Sequence, residues 1–209
     1  MKINTLKCTI WAFVLTAIPF AYLAYLWDTL PAKLALDIGK SNRIGSKEQI
    51  FEQLIIMAVI SLIIYFVVTF NKSINPKQST NQAKRLSAKF GLTMVAFFST
   101  LSLYTIHTAI VHELNNFLFI ILGLFTSLSG NFMHSIPYKH PLGMRLPWVL
   151  ESESNWRKTH QFASKIQFFT GLALVAVALF VPENRLLYPW TFCLCVISAV
   201  PVIYSYWWA

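Results

Sequence analysis

The 209-residue chain carries 17 Lys and Arg against 8 Asp and Glu, a formal net charge of +9, yet only 12% of its residues are charged and 56% are hydrophobic. Soluble domains run near about 25% charged, so the composition excludes an ordinary soluble enzyme and points to a membrane protein. In a soluble chain the positive balance would suggest nucleic acid, but here the basic residues gather in the segments between apolar runs, where membrane topology explains them and direct nucleic-acid binding is not needed.

Runs of roughly 20 apolar residues cross a hydrocarbon core about 30 Å thick. Six occur, near 8–27, 50–70, 88–109, 114–136, 162–182 and 187–207. The first follows Lys2 and Lys7 and so resembles a secretory leader, but its apolar stretch exceeds the roughly 7–15 residues of a leader's core, which favours a retained helix. The second, "LIIMAVISLIIYFVVTF", has no polar face wide enough to meet water. Counting the 17 Lys and Arg on alternate sides of six spans places twelve on the side of both termini. The expectation is therefore an all-α integral membrane protein, a bundle of six transmembrane helices with N and C termini cytoplasmic.

The first loop, residues 28–49, is polar and faces outward in this topology. The second, "NKSINPKQSTNQAKR", reads as a solvated linker. Spans three and four form a tight hairpin near His112 and Glu113. The fourth connection, residues 137–161, is the one place where polar density, prolines and aromatics coincide on the cytoplasmic side. Pro137, Pro141 and Pro147 forbid a continuous helix there. Ser152 then supplies an N-cap, with Glu153 in the first turn, so the fifth helix begins before the membrane. Trp156, His160, Ser164, Gln167 and Gly171 follow at three- and four-residue steps and share one face. The organisation expected is an N-terminal three-helix part, 1–112, followed by a second three-helix part, 113–209.

A face holding His160, Ser164 and Gln167 at the start of a transmembrane helix should point inward, away from lipid. Asn131 enters at a similar depth from the preceding helix, and Arg145 sits between Gly143 and Pro147 where a guanidinium could be aimed at a carboxylate, a phosphate or helix-end carbonyls. A buried cluster of Asn131, Arg145 and His160 is the expectation, serving either as a ligand site or as a hydrogen-bonded staple between helices. Trp148, Trp156, Trp207 and Trp208 suit an interfacial aromatic belt, and Arg157 and Lys158 suit lipid-facing anchors. His107 is the one clear ionisable residue at mid-depth.

No GxSxG, HExxH, P-loop or CxxC motif is present. Cys8, Cys193 and Cys195 lie in or beside apolar runs and imply no disulfide framework. His134, His140 and His160 lack a Cys, Asp or Glu at ligand spacing, so neither metal nor other cofactor is expected.

Three further groups of residues are more specific. "GN.M" at Gly130, Asn131 and Met133, "G.R.PW.L" at Gly143, Arg145, Pro147, Trp148 and Leu150, and "W.KTH" at Trp156, Lys158, Thr159 and His160 resemble the signature of the SdpI family. In the first loop, Leu30, Pro31, Gly39 and Gly45 to Lys47 resemble the outward-facing module that often accompanies it. Ala35 and Asp37 stand where that module carries a second proline and a histidine. Gln161 stands where an arginine is usual, and Ala163 and Ser164 where two glycines are usual, which implies looser helix packing there.

The resemblance implies a multi-pass protein of the bacterial cytoplasmic membrane that gives immunity to a membrane-active toxic peptide met on the outer side, with sequestration of a small cytoplasmic repressor as a second role. Together with the shared face of the fifth helix and the polar first loop, it makes Asn131, Gly143, Arg145, Pro147, Trp148, Trp156, Thr159, His160 and Gln167 the candidate ligand- or partner-binding residues, with Leu30, Pro31, Asp37 and Lys47 in the outward loop. Two alternatives stand beside it. One is a small-solute or ion-coupled transporter lined by Asn131, His160 and Gln167; the other is an enzyme acting on a lipid or envelope substrate, with His160 as base and Arg145 holding a phosphate.

Overall fold

The computed structural model describes residues 5–30, 34–35, 44–70, 81–111 and 116–208. Seven α-helices carry nearly all of these: α1 (Thr5–Leu26), α2 (Lys47–Phe70), α3 (Asn81–Val111), α4 (Phe117–Met133), α5 (Pro147–Glu151), α6 (Glu153–Phe180) and α7 (Leu187–Tyr206). A two-residue antiparallel pair, β1 (Leu34–Ala35) with β2 (Ile44–Gly45), lies between α1 and α2, with Leu34 opposite Gly45. The sequence reading takes that segment as a polar loop. The pairing gives the backbone groups there partners that no helix supplies.

Among the described residues five helices, α1, α2, α3, α6 and α7, are long and apolar enough to cross a membrane. The sixth expected span, 114–136, is the 17-residue α4, which at 1.5 Å per residue reaches about 25 Å. Asn81 to Arg85, read from sequence as linker, instead form the first turn of α3. Ala83 and Leu86 are buried while Lys84 and Arg85 are exposed, so this turn is amphipathic and gains burial by continuing the helix. The expected hairpin near His112 and Glu113 lies outside the described residues.

The chain divides into two compact units, Met1–Asn71 with Ser87–Asn115, and Lys72–Leu86 with Asn116–Ala209. In the first, Leu23, Leu30, Ile50, Leu54, Ile106 and Ala109 form one core cluster and Ala12, Tyr65 and Val95 another. The start of α2 is capped reciprocally: the Ser46 amide donates to Gln49 Oε1 at 3.2 Å, and the Gln49 amide to the Ser46 carbonyl. Ile56, Val59, Ile63 and Val67 are exposed, an apolar face suited to lipid.

Pro19 lies inside α1 and has no amide proton, which leaves the Leu15 carbonyl without its intrahelical donor. Ser99 of α3 replaces it, its hydroxyl donating to the Leu15 carbonyl at 2.8 Å. Ser99→Ala is expected to lower stability by about 1 kcal/mol. Combining it with Pro19→Ala, which restores the amide donor, should remove most of that cost. A double-mutant cycle on thermal midpoints in detergent reads this coupling.

In the second unit α4 packs along α6 with almost no side-chain padding. A Cβ on Gly123 would meet the Gly171 carbonyl at 2.9 Å, one on Gly130 the Phe168 amide at 2.7 Å, and one on Gly171 the Gly123 carbonyl at 2.6 Å and the Ser127 amide closer still. Small residues let two helix backbones approach in this way where water cannot drive association. Ala163 and Ser164, which stand where two glycines are usual, are both buried on α6. At the far end Asn116 donates its side-chain amide to the Ala178 and Val181 carbonyls at 2.6 and 3.0 Å, satisfying groups that the end of α6 leaves open.

Candidate functional site

The densest polar construction among the described residues is the segment from His134 to Ser152, folded over the first turns of α6 and the last turn of α7. It follows from local chemistry. Pro147 opens α5 at a position where its missing amide costs nothing. Ser152 caps α6 as expected, its Oγ accepting from the Asn155 amide at 3.3 Å.

Trp156 is the floor of the site and is fully buried. Its indole N–H donates to the Ile136 carbonyl at 3.2 Å, and its ring stacks on His160 with centroids 4.1 Å apart. Tyr138 meets Trp156 edge-on at 5.8 Å and donates its hydroxyl to the Leu150 carbonyl at 2.6 Å. Gly143 lies directly on this floor: a Cβ there would stand 2.5 Å from Trp156 Cη2 and 2.6 Å from His160 Nε2.

The next amide, from Met144, donates to His160 Nε2 at 2.8 Å. Nε2 is therefore the unprotonated nitrogen, and Nδ1 carries the proton and donates to the Trp156 carbonyl at 2.8 Å. Neutral His160 thus fastens the connecting segment to α6 using both ring nitrogens.

A second network ties in α7. Asn155 donates its side-chain amide to the Trp148 carbonyl at 3.3 Å and the Ser205 carbonyl at 3.2 Å, and its Oδ1 accepts from Thr159 at 2.9 Å. Trp148 donates its indole N–H to Ser205 Oγ at 2.9 Å, and the Ser205 hydroxyl donates in turn to the Val202 carbonyl at 2.7 Å. Asn155, Thr159 and Ser205 are all buried. Sequence reading missed Asn155 and Ser205, partners that lie 50 residues apart in the chain.

Gly143, Trp148, Trp156, Thr159 and His160 of the candidate set therefore converge. Asn131 and Arg145 do not join His160. Both are exposed, and Arg145 Nη1 donates instead to the Lys139 carbonyl at 3.1 Å. The reason is Gly143: with its backbone pressed on the aromatic floor, the Met144 amide fills the place beside His160 that Arg145 was expected to take. Pro147 is exposed at the start of α5, and Gln167 is half-buried beside Gly130.

In the outward loop Leu30 belongs to the first unit's core. Lys47 donates to the Trp27 carbonyl at 2.7 Å, placing a cation at the carbonyl end of α1. Pro31 and Asp37 lie outside the described residues. His107 is exposed on α3, and no group of three metal-ligating side chains occurs among the described residues.

His140 is buried in the connecting segment and accepts the Leu142 amide on Nδ1 at 3.3 Å. Burial pushes its pKa below the ordinary histidine value. The unfolded chain then binds more protons at this position, so stability should fall as pH drops through about 6.5. Thermal midpoints between pH 8 and pH 5 should show that decline, smaller in His140→Gln.

The match to a known family falls on this region. Residues 135–205 match the model of the SdpI/YfhL protein family. Over 184 residues, 87% of this chain and 86% of the relative, the sequence is 25% identical to Immunity protein SdpI of Bacillus subtilis (strain 168). No solved structure matches.

Proposed function

With residues 135–205 carrying the SdpI/YfhL family pattern, we propose that this chain is a bacterial membrane immunity protein that protects its own cell against a membrane-active toxic peptide. The observation that carries the reading is the coincidence of the matched residues with the connection fastened to Trp156, His160 and Asn155. In this reading α4 serves as a sixth crossing, the apolar Phe117–Met133 being at the short end of what spans a bilayer. Both termini then face the cytoplasm of the inner membrane, and the loop between α1 and α2 meets the peptide outside.

Two features count against the alternatives. His160 has both nitrogens committed to backbone partners, which leaves a membrane enzyme without its base. Asn131 is exposed rather than gathered with His160, which leaves a transporter without the pathway expected for it.

Survival of peptide-sensitive cells that express the chain, with its level in the membrane checked, tests the reading. Protection against at least one secreted peptide from a related strain is expected. Sensitivity equal to vector-only cells across a broad panel would count against it.

A further inference from the structure

Lys139 is the one non-glycine with positive φ, 59°, among the described residues. An L side chain is strained in this left-handed region, and such outliers persist where the surroundings impose them. Here they do. The turn closes with the His140 amide on the Pro137 carbonyl at 3.1 Å, Tyr138 is fixed to Leu150 and Trp156, and Arg145 donates to the carbonyl of Lys139 itself.

The strained turn therefore presents the Lys139 carbonyl to the Arg145 guanidinium, so that two exposed basic residues stand on one preorganised frame. Among the described residues no carboxylate forms an ion pair with either. Among the described residues the one ion pair is Arg157 with Glu153, and Lys139 Nζ lies 4.9 Å from the ring centroid of its neighbour Tyr138.

The depth of this pair is set by α7. Trp148, three residues after Arg145, is bonded to Ser205, and the next residues, Tyr206, Trp207 and Trp208, are exposed aromatics at the end of an apolar span. Exposed Trp and Tyr at a span's end sit at the level of the lipid headgroups. Anionic headgroup phosphates lie at that level, and Arg pairs with phosphate through two parallel N–H donors.

We propose that Lys139 and Arg145 together bind the phosphate of an anionic lipid headgroup. The site goes beyond the immunity reading and does not depend on it, since it needs only the placement of α6 and α7 in a bilayer.

The test uses the full chain in uncharged detergent, titrated with phosphatidylglycerol, phosphatidylcholine or inorganic phosphate, with thermal midpoint and lipid retention in native mass spectrometry as readouts. The parent should gain midpoint and retain lipid with phosphatidylglycerol but not with phosphatidylcholine. Arg145→Gln and Lys139→Asn should each bind phosphatidylglycerol roughly fivefold more weakly. Asn tolerates the left-handed backbone, so Lys139→Asn should fold at least as well as the parent and its lost response cannot be ascribed to misfolding. Undiminished phosphatidylglycerol binding in both variants would overturn the site, and an equal midpoint gain from millimolar inorganic phosphate would overturn its assignment to lipid.

Discussion

Trp156→Ala is expected to lower stability by about 3–5 kcal/mol, the range for truncating a fully buried aromatic. Three consequences follow together. The Ile136 carbonyl loses its indole donor, His160 loses the ring it stacks on, and Tyr138 loses the edge it packs against. The connection from His134 to Leu146 should then come away from α6 while the helices stay inserted, because the core clusters of the first unit contain none of these residues. Trypsin reads the change directly. Lys139 and Arg145 are exposed but lie in a tied-down backbone, so cleavage after them should be slow in the parent and much faster in Trp156→Ala. Equal cleavage rates in the two proteins would show that the aromatic floor does not hold the segment.

Gly171→Ala is the second large effect. The added methyl would run into the backbone of α4, against the Gly123 carbonyl at 2.6 Å and the Ser127 amide, and neither atom can turn aside as a flexible side chain would. Either α4 and α6 move apart along their length or the chain accepts strain. A loss of about 3 kcal/mol is expected from overpacking. Gly171→Leu should be worse, whereas Leu172→Ala, on the exposed face of the same helix, should change the thermal midpoint little. Similar midpoints for Gly171→Ala and Leu172→Ala would contradict backbone-close packing between these helices.

Much of this architecture was legible from the sequence because the signals are local. Apolar length placed the helices. Ser152, three residues before Asn155 and just ahead of a helical run, marked the start of α6. The three- and four-residue spacing of Trp156, His160, Ser164 and Gly171 marked its buried face. What escaped depends on partners far apart in the chain. Asn155 and Ser205 meet across 50 residues, and each looks like an ordinary surface polar residue in its own neighbourhood. Gly123 and Gly171 matter only as a facing pair. Arg145 was misplaced because spacing gives the reach of a side chain but not the competition for a partner, and the Met144 amide holds the place beside His160. The extent of α4 was overestimated because the run of apolar composition continues into residues that end the helix at Met133 and turn toward Pro137.

The family pattern of residues 135–205 and the two networks on α6 describe the same residues, which links a structural account to a functional one. If the connection on Trp156 and His160 is part of the protective machinery, loosening it should abolish protection even where the protein still reaches the membrane.

The most direct measurement is the membrane potential of sensitive cells challenged with secreted peptides from related strains, comparing parent, Trp156→Ala matched for membrane level, and vector alone. The account predicts that the parent holds its potential against at least one peptide that depolarises vector-only cells, and that Trp156→Ala fails to hold it. Depolarisation of parent and vector-only cells to the same extent by every such peptide would contradict it.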